Sequence, residues 1–164
     1  MRIALESASQ PDVIALVEKL DAYQMPLYPA ESHHGVDITA LSNPNVLFAV
    51  ARDEQGHAVG CGAIVLEAEY GELKRMFTLP SHRGRGLASS LLLLLETEAQ
   101  RRGCQQFMLE TGYLQPEALA LYERFGYRRC GPFGTYTDDA NSVFMHKSAS
   151  SAPANTPTEA RGEV

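Results

Sequence analysis

Arg83-Gly84-Arg85-Gly86-Leu87-Ala88 is the stretch of this chain best suited to holding an anion. It follows a strand-like run, Leu73–Leu79, and a turn at Pro80-Ser81, and it precedes a long leucine-rich helix pattern. A small-residue loop between a strand and a helix leaves backbone N–H groups unpaired at a helix N-terminus. Those donors and the helix dipole converge on one point, which is a phosphate site. Gly84 and Gly86 let the backbone approach a ligand closely, and Arg83 and Arg85 can add charge-assisted contacts. A plain strand-to-helix turn with solvated arginines would share this composition, so the neighbouring residues decide between the two.

The spacing is not that of the dinucleotide loop G-x-G-x-x-G, and no Gly-Lys-Ser/Thr of a P-loop is present. It is Arg-x-x-Gly-x-Ala. This resembles the acetyl-CoA signature of the GNAT N-acetyltransferase superfamily, whose loop amides grip the pyrophosphate of coenzyme A. Glu72–Pro80 is similar to that family's fourth strand, which pairs with the pantetheine arm. Ala118-Leu119-Ala120-Leu121-Tyr122-Glu123-Arg124-Phe125-Gly126-Tyr127 resembles its second signature, A-x-x-L-Y-x-x-x-G-F/Y. The match runs from about Val46 to Lys147.

The resemblance implies a set of roles. Met76, Phe77, Thr78, Arg83, Gly84, Arg85, Gly86, Leu87 and Ala88 would contact acetyl-CoA. Gln115 stands near the start of the last helix, where the family often has an asparagine that holds the pantetheine. Acetyl transfer to an amine needs a held thioester, a neutral amine and a proton for the departing thiolate. Glu72 is the candidate base, alone or through a water, with Glu110 as its rival or as a substrate contact. Tyr122 is the candidate acid; its alternative is an aromatic packed on the core. His33 and His34 fall in the loop where the family builds its acceptor pocket, or they are simply solvated. Tyr113, Tyr127 and Tyr136 read as structural or substrate-lining, and His82 as surface. Cys61, Cys104 and Cys130 show no metal spacing and no neighbouring base, so neither a metal centre nor a covalent intermediate is expected.

Several elements must position these groups. Arg2–Glu6 reads as a first strand, and Ser9 and Asp12 read as N-cap and N3 acid of a helix that buries Val13, Leu16, Val17 and Leu20. Met25–Ala40 is a loop, with a helical turn near Ile38–Leu41. Val46–Arg52, Ala58–Glu69 and Glu72–Leu79 are consecutive strands; Asp53–Gly56 is the first hairpin turn. A helix from about Gly86 to Arg102 ends at Gly103, and Gln105–Glu110 is the next strand. Pro116 opens and Gly126 closes the last helix, before strands at Tyr127–Pro132 and Ser142–Lys147. This order predicts an α+β fold: a GNAT-like mixed, mostly antiparallel central sheet flanked by helices on both faces. Residues 1–147 form one domain and 148–164 a disordered tail with almost nothing to bury.

The chain has 164 residues, 45% of them hydrophobic, which suits one domain with a genuine core. A formal charge of −6 without a dense basic patch argues against nucleic acid. The longest apolar run, Leu91–Leu95, is too short for a membrane span, and the thiols suit a cytoplasmic protein. The expected activity is acetyl-CoA-dependent N-acetylation of a small amine or peptide, by direct attack in a ternary complex. The alternatives are a non-catalytic acyl-CoA sensor or interaction module, and an acyltransferase with a different donor. A homodimer stays open.

Overall fold

A computed structural model describes residues 1–27 and 38–149. Its elements are β1 (Arg2–Leu5), α1 (Pro11–Gln24), α2 (Ile38–Leu41), β2 (Val46–Arg52), β3 (Ala58–Leu66), β4 (Gly71–Thr78), α3 (Leu87–Arg101), β5 (Gln106–Gly112), α4 (Pro116–Arg124), β6 (Arg128–Cys130) and β7 (Ser142–Ser148). The strands form one sheet in the order β1-β2-β3-β4-β5-β7-β6. All neighbours are antiparallel except β4 and β5, the pair joined by the α3 crossover.

Strand periodicity sends alternate residues to opposite faces. Leu47, Ala49 and Ala51 of β2 join Leu87, Leu91, Leu92, Leu95 and Ala99 of α3 in one core. Phe48 and Val50 join Val13, Leu16, Val17 and Leu20 of α1 in the other. Each such buried side chain contributes about 2 kcal/mol of transfer free energy before ordering costs. The leucine-rich α3 meets a sheet surface with little bulk. A Cβ added at Gly60 would lie 3.4 Å from Leu91 Cδ1, and one at Gly62 would lie 3.1 Å from Leu95 Cδ1. Glycine there lets the helix settle on the strand.

Two features shape β4. Its register against β3 slips between Cys61 and Ala63, so Arg75 and Met76 together face Gly62. Arg75 takes φ 61, the left-handed region, as a bulge residue. A Cβ on Gly62 would come within 2.3 Å of Met76 Sδ, so the Met76 side chain lies in the space that the absent Cβ leaves open. Second, β4 pairs with β5 only from Gly71↔Phe107 to Leu73↔Leu109. Beyond Leu73 the two parallel strands separate and the sheet opens.

Both long crossover helices end alike. Gly103, at φ 94, is followed by a Cys104 N–H bond to Ala99 O at 3.0 Å, with Gly103 N–H on Gln100 O at 2.9 Å. Gly126, at φ 98, is followed by Tyr127 N–H on Tyr122 O at 3.0 Å, with Gly126 N–H on Glu123 O at 3.1 Å. These are Schellman caps, whose left-handed residue favours glycine. They also shorten β6: Tyr127 is spent on the cap, so the strand starts at Arg128 and runs only to Cys130.

Other boundaries move for local reasons. The N-cap of α1 is Gln10, not Ser9, because Pro11 occupies the first helical position; no side chain caps it. Asp12 is held instead by Arg52 Nη1 at 2.6 Å. Arg52 also bonds Glu6 at 2.8 Å and Gly56 O at 2.8 Å, tying β1, α1 and β2 together. Hydrogen bonds from Arg52 hold the Glu6 and Asp12 carboxyls below their ordinary values. β3 ends at Leu66 because Glu67 N–H turns to Tyr70 O at 2.8 Å. β7 continues through Ser148, and Ala149 N–H bonds Gln105 O at 2.7 Å. The rest of the expected tail lies outside the described residues.

Candidate active site

The loop before α3 is built as a cradle. A short 3₁₀ turn at Pro80–His82 leads into it. Gly84 and Gly86 take φ 80 and 78, and a Cβ at either would meet nothing within 4 Å. The space above both glycines is therefore open. Helix α3 makes its first hydrogen bond from Ser90 N–H to Gly86 O at 3.1 Å. No side chain caps that end. The N–H groups of Leu87, Ala88 and Ser89 are thus the unpaired donors of a helix start, with no acid in the first turn to compete for them.

These donors open onto a cleft of about 690 Å³ between the end of β4, the start of α3 and α4. Met76, Phe77 and Thr78 form one wall, and Arg83, Gly84, Gly86, Leu87 and Ala88 form the floor. Gln115 and Tyr122 stand on the α4 side. Leu20 and Tyr23 of α1 line it too, so the cleft passes the edge of β4 toward the α1 face. Ser89 and His82 also line it, and the sequence reading missed both. Ser89 was accessible to that reading as a first-turn residue. His82 is half-buried beside the loop rather than simply on the surface, with Nδ1 2.9 Å from Ser81 Oγ.

The two loop arginines behave differently. Arg83 donates from Nε to Thr78 O at 3.1 Å, and its guanidinium lies 5.1 Å from the Tyr23 ring centroid and 5.9 Å from that of Phe77. It links the loop to α1 across the cleft. Arg85 is exposed and does not line the cleft.

Tyr122 is buried, and its ring packs edge-on against Tyr127 at 5.9 Å, the contact that accompanies a Schellman cap. Its hydroxyl has no hydrogen-bond partner among the described residues, though the residue lines the cleft. Burial raises its pKa well above that of an ordinary phenol, so it keeps its proton at any working pH. Tyr127, behind it, donates to Glu96 Oε2 at 2.7 Å, and Lys147 Nζ donates to Glu96 Oε1 at 2.7 Å. This buried triad joins α3, the end of α4 and β7, and nothing in the local sequence pattern signals it.

The carboxylates lie through the sheet from the loop. Leu73 and Leu109 face the α3 core, so Glu72, beside Leu73, and Glu110, beside Leu109, face the α1 side where β4 and β5 part. Glu72 is 6% exposed. Its Oε2 accepts from Tyr136 Oη at 2.5 Å and lies 3.2 Å from Lys74 Nζ. Glu110 Oε2 accepts from Ser142 Oγ at 2.7 Å. Burial, then the Glu72 hydrogen bond, push the Tyr136 phenol far above its usual range. Lys74 and Tyr136 were not singled out as partners of Glu72 in the sequence. His33 and His34 lie outside the described residues. Among the described residues no cluster of His, Cys, Asp and Glu is placed to hold a metal, and no helix is long and apolar enough to cross a membrane. Cys61 is a buried core residue whose thiol burial pushes up to about 12.

The sheet opens between two parallel strands, with a glycine loop and a bare helix start nearby. Comparison with known proteins places this arrangement. The Acetyltransferase (GNAT) family matches residues 14–127. The "IAA acetyltransferase" of Azospirillum brasilense is 46% identical over 147 residues, covering 88% of this chain and 95% of that protein. A Klebsiella pneumoniae structure described as an acyl-CoA N-acyltransferase is 40% identical with TM-score 0.80, covering 90% of this chain and 97% of that one. An aminoglycoside 6'-N-acetyltransferase complexed with coenzyme A shares the fold at TM-score 0.71 and 19% identity, over 93% and 99% of the two chains. The chain belongs to the GNAT family and is an acetyltransferase.

Proposed function

We propose that this protein transfers an acetyl group from acetyl-CoA to a primary amine of a small molecule or peptide, by direct attack within a ternary complex in the cytoplasm. The observation that carries this reading is the bare start of α3 opening onto the same cleft that Tyr122 lines. The residues fit the cosubstrate: open space above Gly84 and Gly86 admits a pyrophosphate, and the free N–H groups match its oxygens. Acetyl-CoA would supply the acyl group as an activated thioester.

The protein's own groups do the rest. Gly84, Gly86, Leu87, Ala88 and Ser89 hold the phosphates through their backbones, and Met76–Thr78, beside the bulge, hold the pantetheine arm. Glu72 takes the proton from the acceptor's ammonium, directly or through a water, and Glu110 holds the acceptor. The amine lone pair forms the C–N bond as the C–S bond breaks, and the new amide nitrogen sheds its extra proton to solvent. Tyr122 gives its proton to the departing sulfur, and solvent then resets both groups. Base and acid each account for ~10²–10⁴-fold.

The test is a panel of primary amines with acetyl-CoA, following free thiol release. IAA is run beside the panel because a 46% identical relative is named for it. The account expects turnover of at least one amine. Thiol release that no amine accelerates counts against the proposed acceptor class.

A further inference from the structure

The two oxygens of Glu72 are treated unequally. Tyr136 Oη, at 2.5 Å, and Lys74 Nζ, at 3.2 Å, both address Oε2. Lys74 Nζ also donates to Tyr136 Oη at 2.8 Å, closing a triangle. Oε1 accepts no hydrogen bond among the described residues, although the side chain is only 8% exposed. A buried carboxylate oxygen requires a donor. Among the described residues no group fills that role.

Tyr136 is itself firmly held. It stands on the loop between β6 and β7, where its N–H bonds Phe133 O at 3.0 Å. Its ring meets Phe133 at 5.0 Å and Phe144 at 5.5 Å, both edge-on, and the Lys74 ammonium lies 5.4 Å from its centroid. Its hydroxyl proton goes to Glu72, and one of its lone pairs accepts from Lys74.

We propose that Tyr136 is a positioning residue for the reaction, anchored by Lys74: it fixes Glu72 Oε2 so that Oε1 alone faces the acceptor and receives its proton. This rests on the reading of Glu72 as the base. In the step itself the acceptor's N–H bond breaks, the electron pair stays on nitrogen, and the proton passes to Oε1. The pair Glu72–Tyr136 sets the direction of approach, which a free carboxylate rotor would not.

The experiment is a double-mutant cycle of Tyr136→Phe and Glu72→Gln. It is read on kcat and on the KM for acetyl-CoA, using the panel amine that the wild type acetylates fastest. Should no amine be turned over, the cycle is read on slow acetyl-CoA hydrolysis. Tyr136→Phe should lower kcat about ten-fold, within the range of coupling between contacting residues, and leave the KM for acetyl-CoA unchanged. In the Glu72→Gln background the same change should cost nothing more. Losses that multiply, or an unchanged kcat for Tyr136→Phe, overturn the proposal while leaving Glu72 as base. Full turnover by Glu72→Gln overturns the base reading and this proposal with it. If Tyr136→Phe fails to fold, Lys74→Met takes its place in the cycle, with Lys74→Arg expected to restore most of the activity.

Discussion

The two sides of the sheet opening are built from different materials. On the α3 side, the surface offered to a ligand is mostly main chain: two glycines at positive φ and the first N–H groups of a helix. On the α1 side it is side chain: Glu72, Lys74, Tyr136, Glu110 and Ser142, drawn from two strands, a loop and the start of β7. A diphosphate is the same in every reaction cycle, and a backbone cradle suits it because amides carry no rotamer freedom to lose. An acceptor must be recognised and deprotonated, which calls for titratable groups held at fixed angles. Changes on one side should therefore leave the other's work intact.

The largest effect should come from Glu72→Gln. Turnover should fall by ~10²-fold or more, while the thermal shift caused by acetyl-CoA survives. Raising the pH should recover part of the loss, because more of the amine is then already neutral. A kcat–pH series beside a melting curve checks both. Loss of the thermal shift would mean that the two sides are not separable.

Tyr122→Phe should lower turnover by about ten-fold or more. Because the lost hydroxyl is buried without a hydrogen-bond partner among the described residues, the free protein should melt no lower than wild type. Tyr127→Phe, which strips a hydrogen bond from buried Glu96, should destabilise by about 1–3 kcal/mol. A paired set of melting curves separates the two tyrosines, and a drop for Tyr122→Phe would show that its hydroxyl is satisfied after all.

Gly86→Val should act on the cradle alone. At φ 78 a branched residue costs about 1–2 kcal/mol, so melting falls by a few degrees and the acetyl-CoA shift shrinks. Calorimetric titration with acetyl-CoA measures it. The smallest effect belongs to removal of residues 150–164, a segment with almost nothing to bury, which should change neither melting nor turnover.

What could be read beforehand follows the same division. The loop, the start of α3 and Tyr122 lie in short contiguous patterns, and the helix faces Val13–Leu20 and Leu87–Ala99 follow from periodicity. The partners of Glu72 could not be read this way: Tyr136 lies 64 residues along the chain. Lys74 was closer to view, since residues two apart on a strand share a face. The Glu96–Lys147 bond spans 51 residues and the Arg52–Glu6 bond 46, and no local pattern encodes either. Ser9 looked like a helix cap, but a proline at the first helical position set the boundary one residue later. Tyr127 looked like strand, but the glycine before it turned it into a cap.

The most direct test of the division is an amide ¹H–¹⁵N NMR titration of the full chain with coenzyme A. The account predicts that the largest shifts fall on Gly84, Arg85, Gly86, Leu87, Ala88 and Ser89, with smaller ones along Met76–Thr78 and little change at Glu110, Tyr136 and Ser142. Saturable shifts centred on the second group, with the start of α3 unmoved, would contradict it.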